Sequence, residues 1–592
     1  HLSKHAKESK SAQERAAEKG QGRDVGAEFN AEESFEAQKK LYRGAKSIYC
    51  AVAILVYRPD EPQLQLACQK ISLSFGAVKV IRERHITYQL WLETLPLTLS
   101  WLMVTSSNLS ERRQIFDSET APAVLPLTET FSIDPVGVEL ISNGGKPVYI
   151  DLFHRQINRA LITGESGSGK SLFGWEFITD ALANNIPVLG IDLSPANGSN
   201  FEGAIKLLGE EGAYYQMVKT ASNLMEIPDL RDFNPEQRKM RMQQWMDTVR
   251  QALNWIAMGK LSEYDPKLAQ RVDSINVKTL KRFLSDPDII ERYNLAFQNG
   301  YKSTAWQNIP VLRDFQQFCT LQQLNIQNPE DLDKAALKQI QTSIDTLLDT
   351  ALGETVGRPS TFSPNPLIKF FSLGGISNEQ DLHLMALSTH AAVIRNALSY
   401  PVSLFVGDEL SVLLNKSGYA DLIGELAAIG RKNGISMLIL AQDLESIQNC
   451  SSGSRILENI NYRITGRITI NGVKSWINRM KYPERIIYQN ASDSFVPKKS
   501  EIYSSWLVEK NNRFWQCRYY PGEMTLTTVV NDPNETTLRN NIMSKYPPTM
   551  RGQIQGLKEF TELYITSLKQ GTTLQVSQKS PIQKSLIRGN PL

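Results

Sequence analysis

The stretch ALITGESGSGKSLF, residues 160–173, decides the fold of this 592-residue chain. An apolar run enters a loop with the spacing GxxxxGK[ST], and a helix-forming apolar segment follows. Glycines in such a loop let backbone N–H groups curl around phosphate oxygens, and the helix N-terminus adds partial positive charge. We therefore predict a phosphate-binding P-loop. The alternative, a Gly/Ser loop without function, is disfavoured because both flanking segments match the required context.

This loop supplies the predicted nucleotide site. We expect Lys170 to reach the β- and γ-phosphates of ATP and Ser171 to bind Mg²⁺. The residues predicted to bind the cofactor are Gly164, Glu165, Ser166, Gly167, Ser168, Gly169, Lys170 and Ser171.

A second motif, LFVGDE at residues 404–409, is an apolar strand that ends in two adjacent acids. Because alternate side chains of a strand point in opposite directions, the strand end can direct Asp408 to Mg²⁺ and Glu409 to an attacking water. We predict a metal-binding role for Asp408 and a general-base role for Glu409. An acidic pair at a strand end is otherwise often a solvated cap, an interpretation that the P-loop upstream disfavours.

The third motif is GRKNGISMLILAQ, residues 430–442. One interpretation is structural: a helix C-terminus whose basic residues complement the helix dipole, with Gly434 as its cap, leads into a buried strand. The motif also suits catalysis, because Gln442 ends a strand expected beside the P-loop strand and can sense the γ-phosphate. An exposed Arg431 can act in trans on a neighbour's nucleotide. We predict catalytic roles for both.

The composition excludes several classes of protein. Hydrophobic residues make up 41% and charged residues 21%, as in globular proteins, and the net charge of +3 does not by itself indicate a nucleic-acid or membrane-surface binder. The five cysteines and six histidines show no close metal-ligand spacing, so we expect the protein to bind no transition metal. Because an odd number of cysteines cannot all pair within one chain, we expect the protein to reside in a reducing cytoplasm. The longest apolar stretch, 95–104, is too short to span a bilayer. The start at His1, without an initiator Met, leads us to expect a fragment or a processed form.

The motifs GESGSGKS, LFVGDE and GRKNGISMLILAQ follow one another along the chain. With these motifs in this order, the chain resembles the HerA/FtsK superfamily of hexameric P-loop ATPases, and within it the VirB/TraC class of type IV secretion and conjugative-transfer ATPases. The segment GKPVYID, 145–151, is similar to the hairpin that precedes the P-loop in that class. By this resemblance Arg431 matches the arginine supplied across the subunit interface, and Arg463 and Arg467 are weaker candidates. The chain departs from the class at Glu165-Ser166, where Pro-Thr or similar is common, and at Gly407.

The predicted fold class is α/β: a RecA-like P-loop NTPase with a parallel sheet, an inserted helical subdomain and a preceding small α+β domain. The predicted segments are a flexible lead (1–45), an N-terminal α+β domain (46–140), an ATPase domain in two parts (141–229 and 360–530), the helical insertion (230–359) and a C-terminal tail (531–592).

The resemblance implies an ATP-hydrolysing motor that assembles or energises a type IV secretion or conjugation machine, with ATP and Mg²⁺ as its cofactors. It implies a homo-hexamer, or dimers arranged as a ring, at the cytoplasmic face of the inner membrane. Other secretion ATPases and inner-membrane channel subunits would be its partners. The main alternative is a DNA-translocating coupling protein or FtsK/HerA-like pump, for which the net charge gives no support. A third alternative, a nucleotide-binding scaffold, is disfavoured by Glu409.

Overall fold

The computed structural model describes residues 35–50, 53–74, 80–83, 87–93, 114–118, 121, 131–193, 199, 201–376, 378–530, 532–572 and 574. The chain divides into two compact units, His1–Thr130 and Phe131–Leu592. Of the predicted flexible lead, residues 1–34 lie outside the described part.

The first unit contains a small antiparallel pair of strands. Strand β1 (Ser47–Cys50) pairs with β2 (Gln114–Asp117), so that Ile48 lies opposite Phe116. Its helices include Glu61–Ser74 and Thr87–Glu93. Strands and helices therefore both occur in the segment predicted as an N-terminal α+β domain.

The second unit is built on one sheet of eleven strands. In chain order these are β3 (Val138–Ser142), β4 (Pro147–Ile150), β5 (Arg159–Thr163), β6 (Val188–Asp192), β7 (Gly212–Gln216), β8 (Ile368–Ser372), β9 (Ser403–Asp408), β10 (Ile435–Ala441), β11 (Tyr462–Thr465), β12 (Ser504–Lys510) and β13 (Arg513–Tyr519). The spatial order is β4-β3-β13-β12-β11-β5-β10-β9-β6-β8-β7. From β11 to β7 every pairing is parallel, whereas β12, β13, β3 and β4 add an antiparallel edge.

The parallel strands are apolar on both faces because helices cover both sides of the sheet. Phe405 and Ile439 lie in one core cluster with Ala391 of the helix Glu379–Leu398. Val406 lies in a second cluster, with Phe173 of the helix Lys170–Ala183. Strands β5, β6, β8, β9 and β10 are buried along their whole length. This confirms the predicted α/β sheet.

Helices fill the segment between β7 and β8, where the sequence predicts an insertion. Three of them begin at Asn-Pro or Asp-Pro, because a side-chain cap followed by proline favours a helix start. Asn234 Oδ1, for example, accepts a 2.9 Å bond from the Gln237 N–H. The helices of this segment are Pro235–Met258, Leu261–Tyr264, Pro266–Leu284, Pro287–Asn299, Thr304–Gln307, Leu312–Gln317, Asp331–Leu348 and Ala351–Val356.

The remaining helices of the second unit flank the sheet or follow it. They are Lys170–Ala183, Glu202–Lys206, Glu379–Leu398, Ser411–Leu414, Ser417–Ile429, Glu445–Gln448, Gly453–Asn459, Ile470–Asn478, Glu484–Asn490, Glu523–Thr528, Pro533–Met543 and Met550–Gln570. Within the described residues, no helix combines the length and the apolar character that a membrane crossing requires.

The segment that the sequence assigns to a C-terminal tail, 531–592, contains two of these helices. Leu557, Phe560 and Tyr564 recur at helical spacing and form a small core with Ile542. The described part of this segment therefore contains the two packed helices Pro533–Met543 and Met550–Gln570, and residues 575–592 lie outside the described part.

Candidate functional site

The predicted P-loop connects β5 to the helix that begins at Lys170, as the sequence predicts. Gly167 and Gly169 adopt φ values of 78° and 93°, a left-handed region that side chains other than glycine rarely enter. A Cβ on Gly164 would come within 2.7 Å of the Ser168 hydroxyl. The glycines thus keep the loop tight and leave its backbone accessible to a ligand.

Lys170 lies folded back on the loop and is 8% exposed. Its ammonium donates to the carbonyl oxygens of Gly164 at 2.7 Å and Glu165 at 3.1 Å. Burial lowers the pKa of Lys170, and the negative charges of Glu409, Asp408 and Glu165 act in the opposite direction. The lysine therefore lies in the electrostatic field of the second predicted motif.

The sheet register brings the P-loop, the acidic pair and Gln442 to the carboxyl ends of neighbouring parallel strands. Strand β10 lies between β5 and β9, with Ala441 opposite Thr163 and Leu440 opposite Asp408. Gln442, the next residue, donates a 2.8 Å bond from Nε2 to Oε1 of Glu409. The P-loop, the acidic pair and the glutamine thus follow neighbouring strand ends.

One neighbour of this site was not predicted. Asp192, fully buried, lies opposite Asp408 on the adjacent strand β6, and its carboxylate accepts a 2.9 Å bond from the Tyr214 hydroxyl. The sequence did contain a signal, because VLGID at 188–192 ends in an acid after an apolar run, as LFVGD does at 404–408.

The chemistry of these groups fits a nucleotide with Mg²⁺. The Ser168 hydroxyl is buried and has no hydrogen-bond partner among the described residues. An α-helix provides no internal partners for the N–H groups of its first turn, so the N-terminus at Lys170 suits an anion. Carboxylate and hydroxyl oxygens, as in Asp408 and Ser171, are ligands that Mg²⁺ prefers. No group of three or more His, Cys, Asp or Glu suited to a metal occurs in the described part of the chain.

Arg431 lies outside this constellation. It lies in the 3₁₀ turn Gly430–Asn433 before β10, whereas Gln442 follows the same strand. Strand β10 has 7 residues, so its two ends lie roughly 20 Å apart at about 3.3 Å per residue. Arg431 is exposed and donates a 3.3 Å bond to Gln156 Oε1. Burial lowers the pKa of Arg159, and the charge of Arg431 lowers it further, so the two cations lie close together.

The two weaker arginine candidates have partners within the chain. Arg463 forms an ion pair with the buried carboxylate of Glu509 and donates to the carbonyl of Leu457 at 2.9 Å. Arg467 forms an ion pair with Glu165 of the P-loop. Arg463 therefore has a structural role in this chain, and Arg467 lies beside the P-loop of the same chain.

Comparison with known proteins gives matches among solved structures. No family model matches the chain, and no curated protein matches it. The chain is similar to VirB4 of Thermoanaerobacter pseudethanolicus. The match has 13% identity and a TM-score of 0.48, and covers 66% of this chain and 98% of the other.

Two coupling proteins also match. The plasmid coupling protein TrwB in complex with ADP and Mg²⁺ has 16% identity and a TM-score of 0.35, covering 65% of this chain and 83% of that one. The pCW3 conjugation coupling protein TcpA, with ATPgS, has 13% identity and a TM-score of 0.25, covering 81% and 86%.

Proposed function

We propose that this protein is an ATP-hydrolysing motor of a type IV secretion or conjugation machine. The proposal rests on one observation. At the carboxyl ends of neighbouring parallel strands the fold brings together four residues: Lys170, Asp408, Glu409 and Gln442. A loop that only bound phosphate would not need a carboxylate held by an amide beside it. This arrangement supports hydrolysis in addition to binding.

Each residue of the site has a proposed role. The P-loop backbone and Lys170 bind the phosphates, and Asp408 and Ser171 hold Mg²⁺, which neutralises charge on the phosphate oxygens. Glu409 takes a proton from the attacking water, and Gln442 keeps its carboxylate in place.

Arg431 is proposed to serve the nucleotide of an adjacent subunit. Arg431 precedes β10 and so lies at the opposite end of the parallel strands from its own P-loop, which it cannot reach. Because its side chain is exposed, it is available to a neighbouring subunit. Arg431 donates to the carboxamide of Gln156, which is neutral, so this contact does not compensate the positive charge of the guanidinium. Arginines supplied in trans stabilise charge in phosphoryl transfer, so we propose a ring, either a hexamer or dimers arranged as one.

The motor is proposed to act at the cytoplasmic face of the inner membrane, bound there by other secretion ATPases and channel subunits. The second candidate is a DNA-translocating coupling protein. DNA-stimulated turnover at fixed salt would favour the second candidate, and turnover indifferent to DNA favours the first.

The experiment that tests the site measures equilibrium ATP binding and turnover by wild type and Lys170→Ala in the same preparation. The proposal requires wild type to hydrolyse ATP and the variant to lose both properties while keeping its unfolding transition. Unchanged nucleotide affinity in a folded Lys170→Ala variant would contradict the site assignment.

A further inference from the structure

The P-loop carries an acidic residue, Glu165, at its second position. Its charge acts on the Lys170 ammonium, the group proposed to reach the β- and γ-phosphates. A carboxylate this close to a polyphosphate repels it, and the repulsion is weakly screened in a partly buried site. The acid therefore needs compensation before the loop can bind a highly charged ligand.

Arg467 supplies a positive charge at that point. Its Nε lies 2.7 Å from Glu165 Oε1, and the two side chains keep only 35% and 28% of their exposure. The main chain joins the same residues, because the Glu165 N–H donates a 2.8 Å bond to the Arg467 carbonyl. Side chain and backbone thus hold the arginine against the loop.

The segment that carries Arg467 is itself fixed to the P-loop strand. Thr465 of β11 lies opposite Thr163 of β5, and the Gly466 N–H donates a 2.8 Å bond to the Thr163 carbonyl. The fully buried side chain of Asn490 donates 2.8 Å bonds to the carbonyls of both Thr465 and Gly466. An ordinary surface ion pair has no such support, and usually contributes little to stability.

We propose that Arg467 is a positioning residue of the nucleotide site, whose guanidinium neutralises Glu165 so that the P-loop can accept the phosphates of a nucleoside triphosphate. The inference rests on the proposed function, because it assumes that the loop binds a nucleotide. Arg467 acts through Glu165 and not by direct contact with the ligand. Its effect therefore depends on the acid being present.

A double-mutant cycle tests this dependence. Equilibrium binding of Mg-ATP and Mg-ADP at fixed ionic strength is measured for the full chain and for Arg467→Gln, Glu165→Gln and the double variant. Arg467→Gln should weaken ATP binding roughly ten-fold and ADP binding less, because ADP carries less negative charge. Glu165→Gln keeps the P-loop backbone but leaves the charge of Arg467 uncompensated, so it should bind ATP more tightly than wild type. The double variant should return to within roughly three-fold of wild type.

Two further variants separate charge from structure. Arg467→Lys keeps the charge and should retain most of the affinity, which a purely structural role for the guanidinium would not explain. Arg479→Gln removes one positive charge from an exposed arginine bonded to Asn449 and should leave affinity unchanged. Equal losses in Arg467→Gln and the double variant would overturn the proposal, as would no loss in either.

If Arg467→Gln fails to fold, the same binding measurement is made on the charge-swapped variant that combines Glu165→Arg with Arg467→Glu. The folded swap should bind ATP within roughly three-fold of wild type, because the pair remains neutral. Loss of binding in the folded swap would overturn the inference. Lys170→Ala in the same assay tests the proposed function separately: unchanged affinity there contradicts nucleotide binding at this loop, whatever the pair does.

Discussion

The side-chain amide of Gln442 donates a 2.8 Å hydrogen bond to the carboxylate of Glu409, and this bond joins the ends of two adjacent parallel strands. The Glu409 N–H also donates to the Leu440 carbonyl at 3.2 Å. Glu409 has a φ of 53°, a left-handed conformation that costs on the order of 1–3 kcal/mol for a residue other than glycine. Strain of this kind is concentrated at functional sites, which agrees with the role proposed for Glu409 as the base.

Replacing Glu409 with Gln should separate binding from hydrolysis. The change preserves shape and removes the proton acceptor, so nucleotide affinity should stay within about two-fold while turnover falls by roughly 10²–10⁴-fold. Isothermal titration and phosphate release on the same samples measure the two quantities. Turnover within ten-fold of wild type would show that Glu409 is not the general base.

Replacing Gln442 with Ala should lower turnover without weakening ATP binding. The variant leaves Glu409 in place but removes the amide that orients it, so we expect a loss of roughly ten- to a hundred-fold in kcat, smaller than that of Glu409→Gln. Steady-state kinetics with titrated ATP provides the test. If KM rose and kcat were unchanged, Gln442 would be a binding residue and not a positioning one.

A buried ion pair fixes the helix Glu379–Leu398 against the segment before Pro235. Arg395 lies 3.2 Å from Glu226, and both are less than a tenth exposed. Arg395→Met would leave the acid buried without its cation, which should lower the free energy of unfolding by about 3–5 kcal/mol. Urea denaturation measures the loss. Adding Glu226→Gln should recover much of it, and an equal loss in the double variant would show that the cost is one of packing.

Lys369 on β8 should make stability depend on pH. Its side chain is fully buried and donates to the carbonyls of Pro364 and Pro366 at 2.7 and 2.9 Å. Burial, aided by the charge of Arg395, lowers the pKa of Lys369 to about 7. The unfolded chain keeps that proton up to about pH 10.4. The free energy of unfolding therefore rises with pH between about 7 and about 10.4, and this gain is lost as the pH falls back to 7.

The matched variant for this prediction is Lys369→Met, which keeps the length of the side chain. Between pH 7.5 and 9.5 wild type should gain about 2 kcal/mol of unfolding free energy relative to the variant, as measured by urea denaturation. A difference between the two proteins that stays constant over this range would contradict the lowered pKa.

The sequence predicted those parts of the site that depend on local spacing. The loop around Lys170 and the strand ending at Asp408 follow from short-range patterns, and the parallel sheet follows from buried apolar runs. The order of strands places Gln442 beside Glu409, and here the expectation came from the fold that the motifs resemble. Contacts between distant segments were beyond such reasoning. The resemblance made Arg467 a weaker candidate for the trans-acting arginine, but its pairing with Glu165, which follows from β11 lying next to β5, was not predicted.

The claim that each nucleotide site combines residues from two subunits is central to the proposed motor. Arg431→Ala and Glu409→Gln subunits should each be nearly inactive alone, because an arginine supplied in trans can contribute on the order of 10³-fold in rate. In a randomly mixed ring of equal parts, roughly a quarter of the interfaces would combine an intact base with an intact arginine.

The decisive measurement is therefore ATP turnover of these two variants mixed at a series of ratios and constant total concentration, with wild-type turnover followed over a dilution series. The shared site predicts recovered activity with a maximum near the equal mixture, and wild-type specific activity that falls steeply on dilution. No recovery at any ratio, together with concentration-independent wild-type turnover, would contradict the shared site and leave Arg431 as the basic residue of a helix terminus.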